Sequence, residues 1–217
     1  MEKKLEALYE ARRRALTAEA EVLDADDDRE LASRLQKALQ ATDELPKHER
    51  SFRLQVIASL LAKVNGVDAA KLLLRILGDD DESVQASAVG ALIDFKSAGK
   101  HAELCKAVEH VLDGGYAGGG FPALPGILLQ NLQEDEDPPI DLLVRLLDHD
   151  DADVAAEAAC ALWDVGAEGT EELLSSFVDD ERPLTGTDGG ETLGDLILAL
   201  LESTSLAQAM GTPVGEA

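Results

Sequence analysis

The stretch from Leu73 to Leu92 is written again, 70 residues later, from Leu143 to Leu162. The first copy reads Leu73-Leu74-Arg75-Ile76-Leu77-Gly78-Asp79-Asp80-Asp81-Glu82-Ser83-Val84, then Gln85-Ala86-Ser87-Ala88-Val89-Gly90-Ala91-Leu92. The second reads Leu143-Val144-Arg145-Leu146-Leu147-Asp148-His149-Asp150-Asp151-Ala152-Asp153-Val154, then Ala155-Ala156-Glu157-Ala158-Ala159-Cys160-Ala161-Leu162. Self-similarity at a fixed period limits the fold severely, because every copy must form the same unit and bury its apolar face on a neighbour. Since 70 is twice 35, a further unit is expected midway. A degraded one stands there, with Val108, Val111 and Leu112 in the places of Leu73, Ile76 and Leu77. Ala123, Ile127 and Leu128 take those of Ala88, Leu92 and Ile93, and Gly114-Gly115-Tyr116-Ala117-Gly118-Gly119-Gly120 replaces the acidic turn.

The unit is a helical hairpin. Leu73, Ile76 and Leu77 follow i, i+3, i+4 spacing and so share one helical face. Asp and Gly then break the helix, and Val84, Ala88, Ala91 and Leu92 resume the period. Carboxylates ahead of the second helix suit its free N–H groups and the positive end of its dipole. Upstream, Leu31, Leu35 and Leu39 are expected on a first helix, with Phe52, Val56 and Leu60 in the roles of Val84, Ala88 and Leu92. Downstream, Leu174, Phe177 and Val178 parallel Leu143, Leu146 and Leu147, and a long turn from Asp179 to Gly190 leads to Leu193, Ile197 and Leu201. The expected architecture is an all-α, right-handed α-solenoid of about five stacked antiparallel helix pairs. It would form one domain over residues 1–202, with an N-terminal capping helix in 1–30 and a flexible tail over 203–217.

These repeats resemble HEAT repeats, and more loosely the shorter HEAT-like repeats of the phycobilisome lyase group. The resemblance is carried by Asp81-Glu82-Ser83-Val84-Gln85-Ala86-Ser87-Ala88-Val89-Gly90-Ala91-Leu92 and by its counterpart from Asp151 to Leu162, and extends weakly over residues 31 to 202. The arginine that commonly follows the valine in that family is here Gln85 or Ala155, so the family's Asp–Arg ladder between repeats is not expected. Because most family members are scaffolds, adaptors or transport factors, the resemblance implies a binding protein. The lyase group implies an alternative role on a pigment- or cofactor-carrying client.

Composition and charge narrow the classes. Aromatic residues are only 3% of the chain, so a core must come from Leu, Ala, Val and Ile, which suits close helix packing better than sheets. The net charge is −25, and residues 1–16 hold five basic against three acidic residues. The remainder would repel nucleic acid and anionic membranes and attract a basic protein at long range. Apolar runs such as Leu196 to Leu201 are too short to span a bilayer. Met1-Glu2-Lys3-Lys4 opens no signal-peptide block, and a cytoplasmic protein is expected.

Catalytic and metal signatures are weak. His48, His101, His110 and His149 fall in different units, and only His101 and Cys105 share a helical face, two ligands where zinc takes four. Asp24, Asp26 and Asp28 have the opening spacing of a calcium loop, but Arg29 and Leu35 stand where its glycine and bidentate glutamate belong. The glycine cluster lacks the following Lys-Ser or Lys-Thr of a phosphate loop. No catalytic, cofactor or metal residue is therefore nominated.

Two surfaces are candidates for a partner. Ile93 points away from the hairpin partner, and with its aligned positions Leu61, Leu128, Trp163 and Glu202, four of the five apolar, it makes a column that is either an open groove or packing between repeats. Trp163 is the expected hot spot if the column is open. Asp79, Asp80, Asp81, Asp150 and Asp151 lie in turns that stacking would align as an acidic edge, against the plainer reading of capping and solubility. The expected function is a non-catalytic adaptor, scaffold or inhibitor, such as an immunity-type protein, that binds a basic protein; a homodimer through the column is a further option.

Overall fold

The computed structural model describes residues 17–18, 20–23, 27–115, 118–130, 137–185 and 191–209, with side chains through Ser203. All regular structure among them is helical, apart from an isolated antiparallel bridge between Pro183 and Thr192. No helix among the described residues is long and apolar enough to cross a membrane. The chain divides into two compact units, residues 1–111 and 112–217.

Unit 1 contains α1 (Asp28–Gln40), α2 (Lys47–Leu61), α3 (Val67–Leu77), α4 (Glu82–Ser97) and α5 (His101–Asp113) as far as Val111. Most of the expected N-terminal capping helix lies outside the described residues, as do Asp24 and Asp26; 17–18 and 20–23 are helical. Asp27 caps α1, its carboxylate accepting from the Arg29 and Glu30 N–H groups at 2.8 and 3.0 Å. Leu31, Leu35 and Leu39 are buried as their spacing predicts. α3 packs against α1, α2 and α4, so it is apolar nearly all round: Ala69, Ala70, Leu72, Leu73, Leu74, Ile76 and Leu77 are all buried. Val84, Ala88, Ala91, Leu92 and Phe95 of α4 complete that hairpin.

The expectation for α2 fails. Phe52 is 67% and Val56 45% exposed, while Leu54, Ile57, Ala58 and Leu61 are buried. The buried set repeats that of α4 at an offset of 30 rather than 32: Leu54 with Val84, Ala58 with Ala88, Leu61 with Ala91, Ala62 with Leu92. A two-residue slip rotates a helix by about 200°, enough to exchange its inner and outer faces. Lys100 is a second departure, buried with 7% exposure. Its Nζ donates to the carbonyls of Ala62 and Val64 at 3.1 and 3.0 Å, closing the C-terminal end of α2, and lies 4.8 Å from the Phe95 ring centroid. Burial pulls the pKa of this amine down from its ordinary value.

Unit 2 contains a 3₁₀ turn η1 (Phe121–Ala123), α6 (Leu124–Leu129), α7 (Ile140–Leu147), α8 (Ala152–Val165), α9 (Thr170–Ser175) and α10 (Leu193–Ala209). α8 is its hub, touching η1, α6, α7, α9 and α10. Ala152, Ala155, Ala156, Ala158, Ala159 and Ala161 are buried along it, and small side chains let several neighbours approach one axis. Leu142, Leu143, Leu146 and Leu147 of α7 supply the bulk facing it. α8 ends at Gly166, whose φ of 63° is left-handed and whose N–H returns to Leu162 and Trp163 carbonyls. α10 continues to Ala209, beyond Glu202 where the apolar period fades.

Gly194 fixes how α10 begins. A Cβ there would collide with the Val178 carbonyl oxygen and sit 3.0 Å from that of Asp180, which accepts the Gly194 N–H at 3.0 Å. Helix propensity alone favours Gly→Ala by about 1 kcal/mol. The collision is with backbone, so Gly194→Ala is expected to destabilise the protein by about 1–3 kcal/mol in urea denaturation; a stabilised variant would contradict this packing.

Candidate functional site

The turn between α3 and α4 spends most of its acid internally. Asp79 is buried, its carboxylate ion-paired with Arg50 of α2 and accepting the Asp81 N–H at 3.0 Å. Asp81 caps α4 through the Ser83 N–H at 2.9 Å and also accepts the Ser83 and Ser51 hydroxyls at 2.6 and 2.7 Å. Gln85, where the resembled family places arginine, donates to the Asp79 carbonyl at 2.6 Å. Of the three aspartates expected on an acidic edge here, only Asp80 is exposed. Asp79 is corrected to a buried structural anion, and Asp81 to a cap.

The α7–α8 turn repeats this arrangement with one exchange. Asp151 caps α8 through the Asp153 N–H at 3.0 Å, as Asp81 caps α4. His149 stands where Asp79 does, and its Nδ1 accepts the Asp151 N–H at 3.1 Å. That bond leaves Nδ1 without a proton and places the neutral ring's hydrogen on Nε2. The ring also lies 6.4 Å from that of Phe121, which is fully buried. The first helices repeat a contact too: Arg75 reaches Asp43 at 3.9 Å and Arg145 reaches Asp113 at 2.7 Å, both pairs offset by 70 residues. Being exposed, each pair is worth about 0–1 kcal/mol.

Asp148, Asp150 and Asp151 remain exposed in this turn. With Leu112, Gly115, Arg145 and His149 they line an open cleft of about 450 Å³. Gly115 comes from the glycine-rich segment, of which Tyr116 and Ala117 lie outside the described residues. The surroundings are strongly anionic: residues 112–217 hold 23 acidic residues and two arginines, Arg145 and Arg182, and no lysine. They thus carry −21 of the net −25. Both arginines are found at this turn. Arg182 donates through Nη1 to the His149 carbonyl and through Nε and Nη2 to Asp180, at 2.7–3.0 Å for the latter. Asp153 accepts the Thr185 N–H at 2.9 Å and its hydroxyl as well.

The apolar column divides. Leu61 and Leu128 are fully buried and offer a partner no surface. Leu61 falls at a core position because of the slipped register, and Leu128 because α6, under two turns long, buries Leu124, Pro125, Ile127 and Leu128. Ile93 and Trp163 are half-buried and keep some surface. Large apolar residues are exposed elsewhere among the described residues: Leu198 on α10, and Phe52, Val56 and Val22, which line a groove of about 460 Å³ with Ala18 and Leu60. His101 and Cys105 do share a face, with Sγ 3.6 Å from Nε2. Among the described residues no group of three or more His, Cys, Asp or Glu is placed to hold a metal.

Sequence reasoning missed Arg182 and Lys100. The signal available for the first was the absence of any other cation after Arg145; the second carries none, since a buried lysine reads like a surface one.

Asp81 gives the turn a pH signature. The Ser83 hydroxyl, then the Ser51 hydroxyl and the Ser83 N–H, hold its pKa down at about 2. A depressed carboxylate stabilises the fold fully above its ordinary pKa and loses that contribution as pH falls through the folded value. Asp81→Asn should therefore melt below wild type at pH 7, and the difference should shrink between about pH 4 and pH 2. A difference independent of pH would show that the charge on Asp81 plays no part. No protein-family model matches the chain, and no curated protein or solved structure does either.

Proposed function

We propose that this protein is a non-catalytic interaction module, built as a right-handed solenoid of about five HEAT-like helix pairs, that binds a basic protein as an adaptor, scaffold or inhibitor. The observation that carries the reading is the α7–α8 turn: an open cleft rimmed by Asp148, Asp150 and Asp151 in the part of the chain that holds 23 acidic and two basic residues. A field of that density draws cations at long range, and a cleft with polar walls gives them a place to stop. His149 and Leu112 add an aromatic ring and an apolar wall, against which the stem of a lysine or the plane of an arginine packs. The recurrence of one cap and one Arg–Asp contact at an offset of 70 residues supports reading both hairpins as copies of one repeat. Cys105 and Cys160 are not joined in a disulfide, which suits a cytoplasmic setting.

The test is calorimetric titration of a hexa-arginine peptide at physiological ionic strength. Asp148→Asn with Asp150→Asn is expected to weaken binding about tenfold. Glu171→Gln with Glu172→Gln removes the same charge from exposed positions on α9 and should change it less than twofold. Equal losses from both pairs would mean attraction to net charge alone, and would remove the cleft from consideration.

A further inference from the structure

We infer that the outer face of α2 is a two-fold interface at which two copies of this chain pair, their α2 helices running antiparallel across Val56. The surface lies wholly on unit 1 and is separate from the acidic cleft, whose lining residues all belong to unit 2. Three observations converge on it.

The first is exposure. Phe52, at 67%, is the most open large apolar side chain among the described residues, and Val56, one turn on, is 45% exposed. With half-buried Leu60 they make one stripe at i, i+4, i+8 spacing. Ala18 and Val22 rise beside the stripe as the second wall of the groove, and no residue lining it is charged. Clustered apolar surface of this kind marks contact with another macromolecule.

The second observation is symmetry, and it says which macromolecule. Glu49 stands three residues before Phe52, and Lys63 three residues after Leu60. Glu49, Phe52, Val56, Leu60 and Lys63 are thus spaced 3, 4, 4 and 3, the same in either direction. A two-fold axis at Val56 sets Val56 on Val56 and brings Phe52 of each copy into the groove beside Leu60 of the other. The ends of the stripe carry opposite charge, so Glu49 of each copy meets Lys63 of the other. The Glu49 side chain is 42% exposed and Lys63 is exposed, so both are open to such a contact. A two-fold interface must match one surface to itself, and this stripe does so in shape and in charge.

The third is the distribution of charge. Copies of a chain with a net charge of −25 repel one another. Residues 1–111 hold 17 basic against 21 acidic residues and carry only −4 of it. Two copies therefore approach at least electrostatic cost through unit 1.

The stripe runs about 21 Å along the helix, a small interface, so the dissociation constant is expected on the order of 10 µM. Sedimentation equilibrium of the full chain, from about 1 to about 200 µM, measures it. Val56→Asp sets two carboxylates against each other on the axis and should weaken pairing by about thirtyfold or more. Glu49→Lys alone and Lys63→Glu alone should each weaken it about fivefold, and the double exchange should return to within about twofold of wild type. Phe52→Ser replaces Val56→Asp should the latter fail to fold. A wild type that stays monomeric overturns the proposal and leaves the face to another part of this chain or to a different protein. A dimer that Val56→Asp leaves intact is held elsewhere. One that Val56→Asp breaks, while the charge exchanges show no loss and rescue, is not paired antiparallel. Either result overturns the proposal as well.

Discussion

Unit 2 depends on how narrow α8 is. Five elements pack on one helix of fourteen residues, and they fit because nearly every inward position is alanine. Larger side chains would push the neighbours apart and open voids elsewhere, since interiors tolerate neither overfilling nor gaps. The same constraint appears at the start of α10, where Gly194 meets the backbone of Val178 and Asp180 without any side chain. Bulk is supplied from outside the axis, by Leu142, Leu143, Leu146 and Leu147 and by Phe121. α3 in unit 1 is the contrasting solution: a leucine-rich helix packed on by three others, with only Ala69 and Ala70 small.

The two strong repeats were legible because their apolar periods and acidic caps agree. Leu73, Ile76 and Leu77, with Val84, Ala88, Ala91 and Leu92, are all buried, and so are Leu143, Leu146, Leu147, Val154, Ala158, Ala161 and Leu162. α2 was misread because it offers two stripes. Phe52, Val56 and Leu60 make as good a period as Leu54, Ala58 and Leu61, and only tertiary contacts decide which turns inward. The acidic turns were legible as a pattern but not in their parts. Whether an aspartate faces solvent or is buried against an arginine depends on a residue some thirty positions away, as Arg50 is from Asp79.

Electrostatics and architecture are unevenly divided between the units. Unit 1 holds 17 of the 19 basic residues, and its ion pairs, such as Arg50 with Asp79 and Arg53 with Glu49, lie within it. Unit 2 has almost no countercharge and relies on caps, threonine hydroxyls and two arginines. Self-repulsion of this size lowers stability, so the charge is a cost unless something outside the chain meets it.

The exchange of Asp79 for His149 shows what the turn itself demands. Both accept the N–H two residues on, one through a carboxylate and the other through a ring nitrogen. Arg50 accompanies the carboxylate, whereas Gly120, with no side chain, holds the corresponding place ahead of the histidine. In the α3–α4 turn the two groups are therefore interdependent: removing Arg50 alone would leave a buried carboxylate unopposed, whereas the α7–α8 turn, whose acceptor is a ring nitrogen, asks for no arginine at that place.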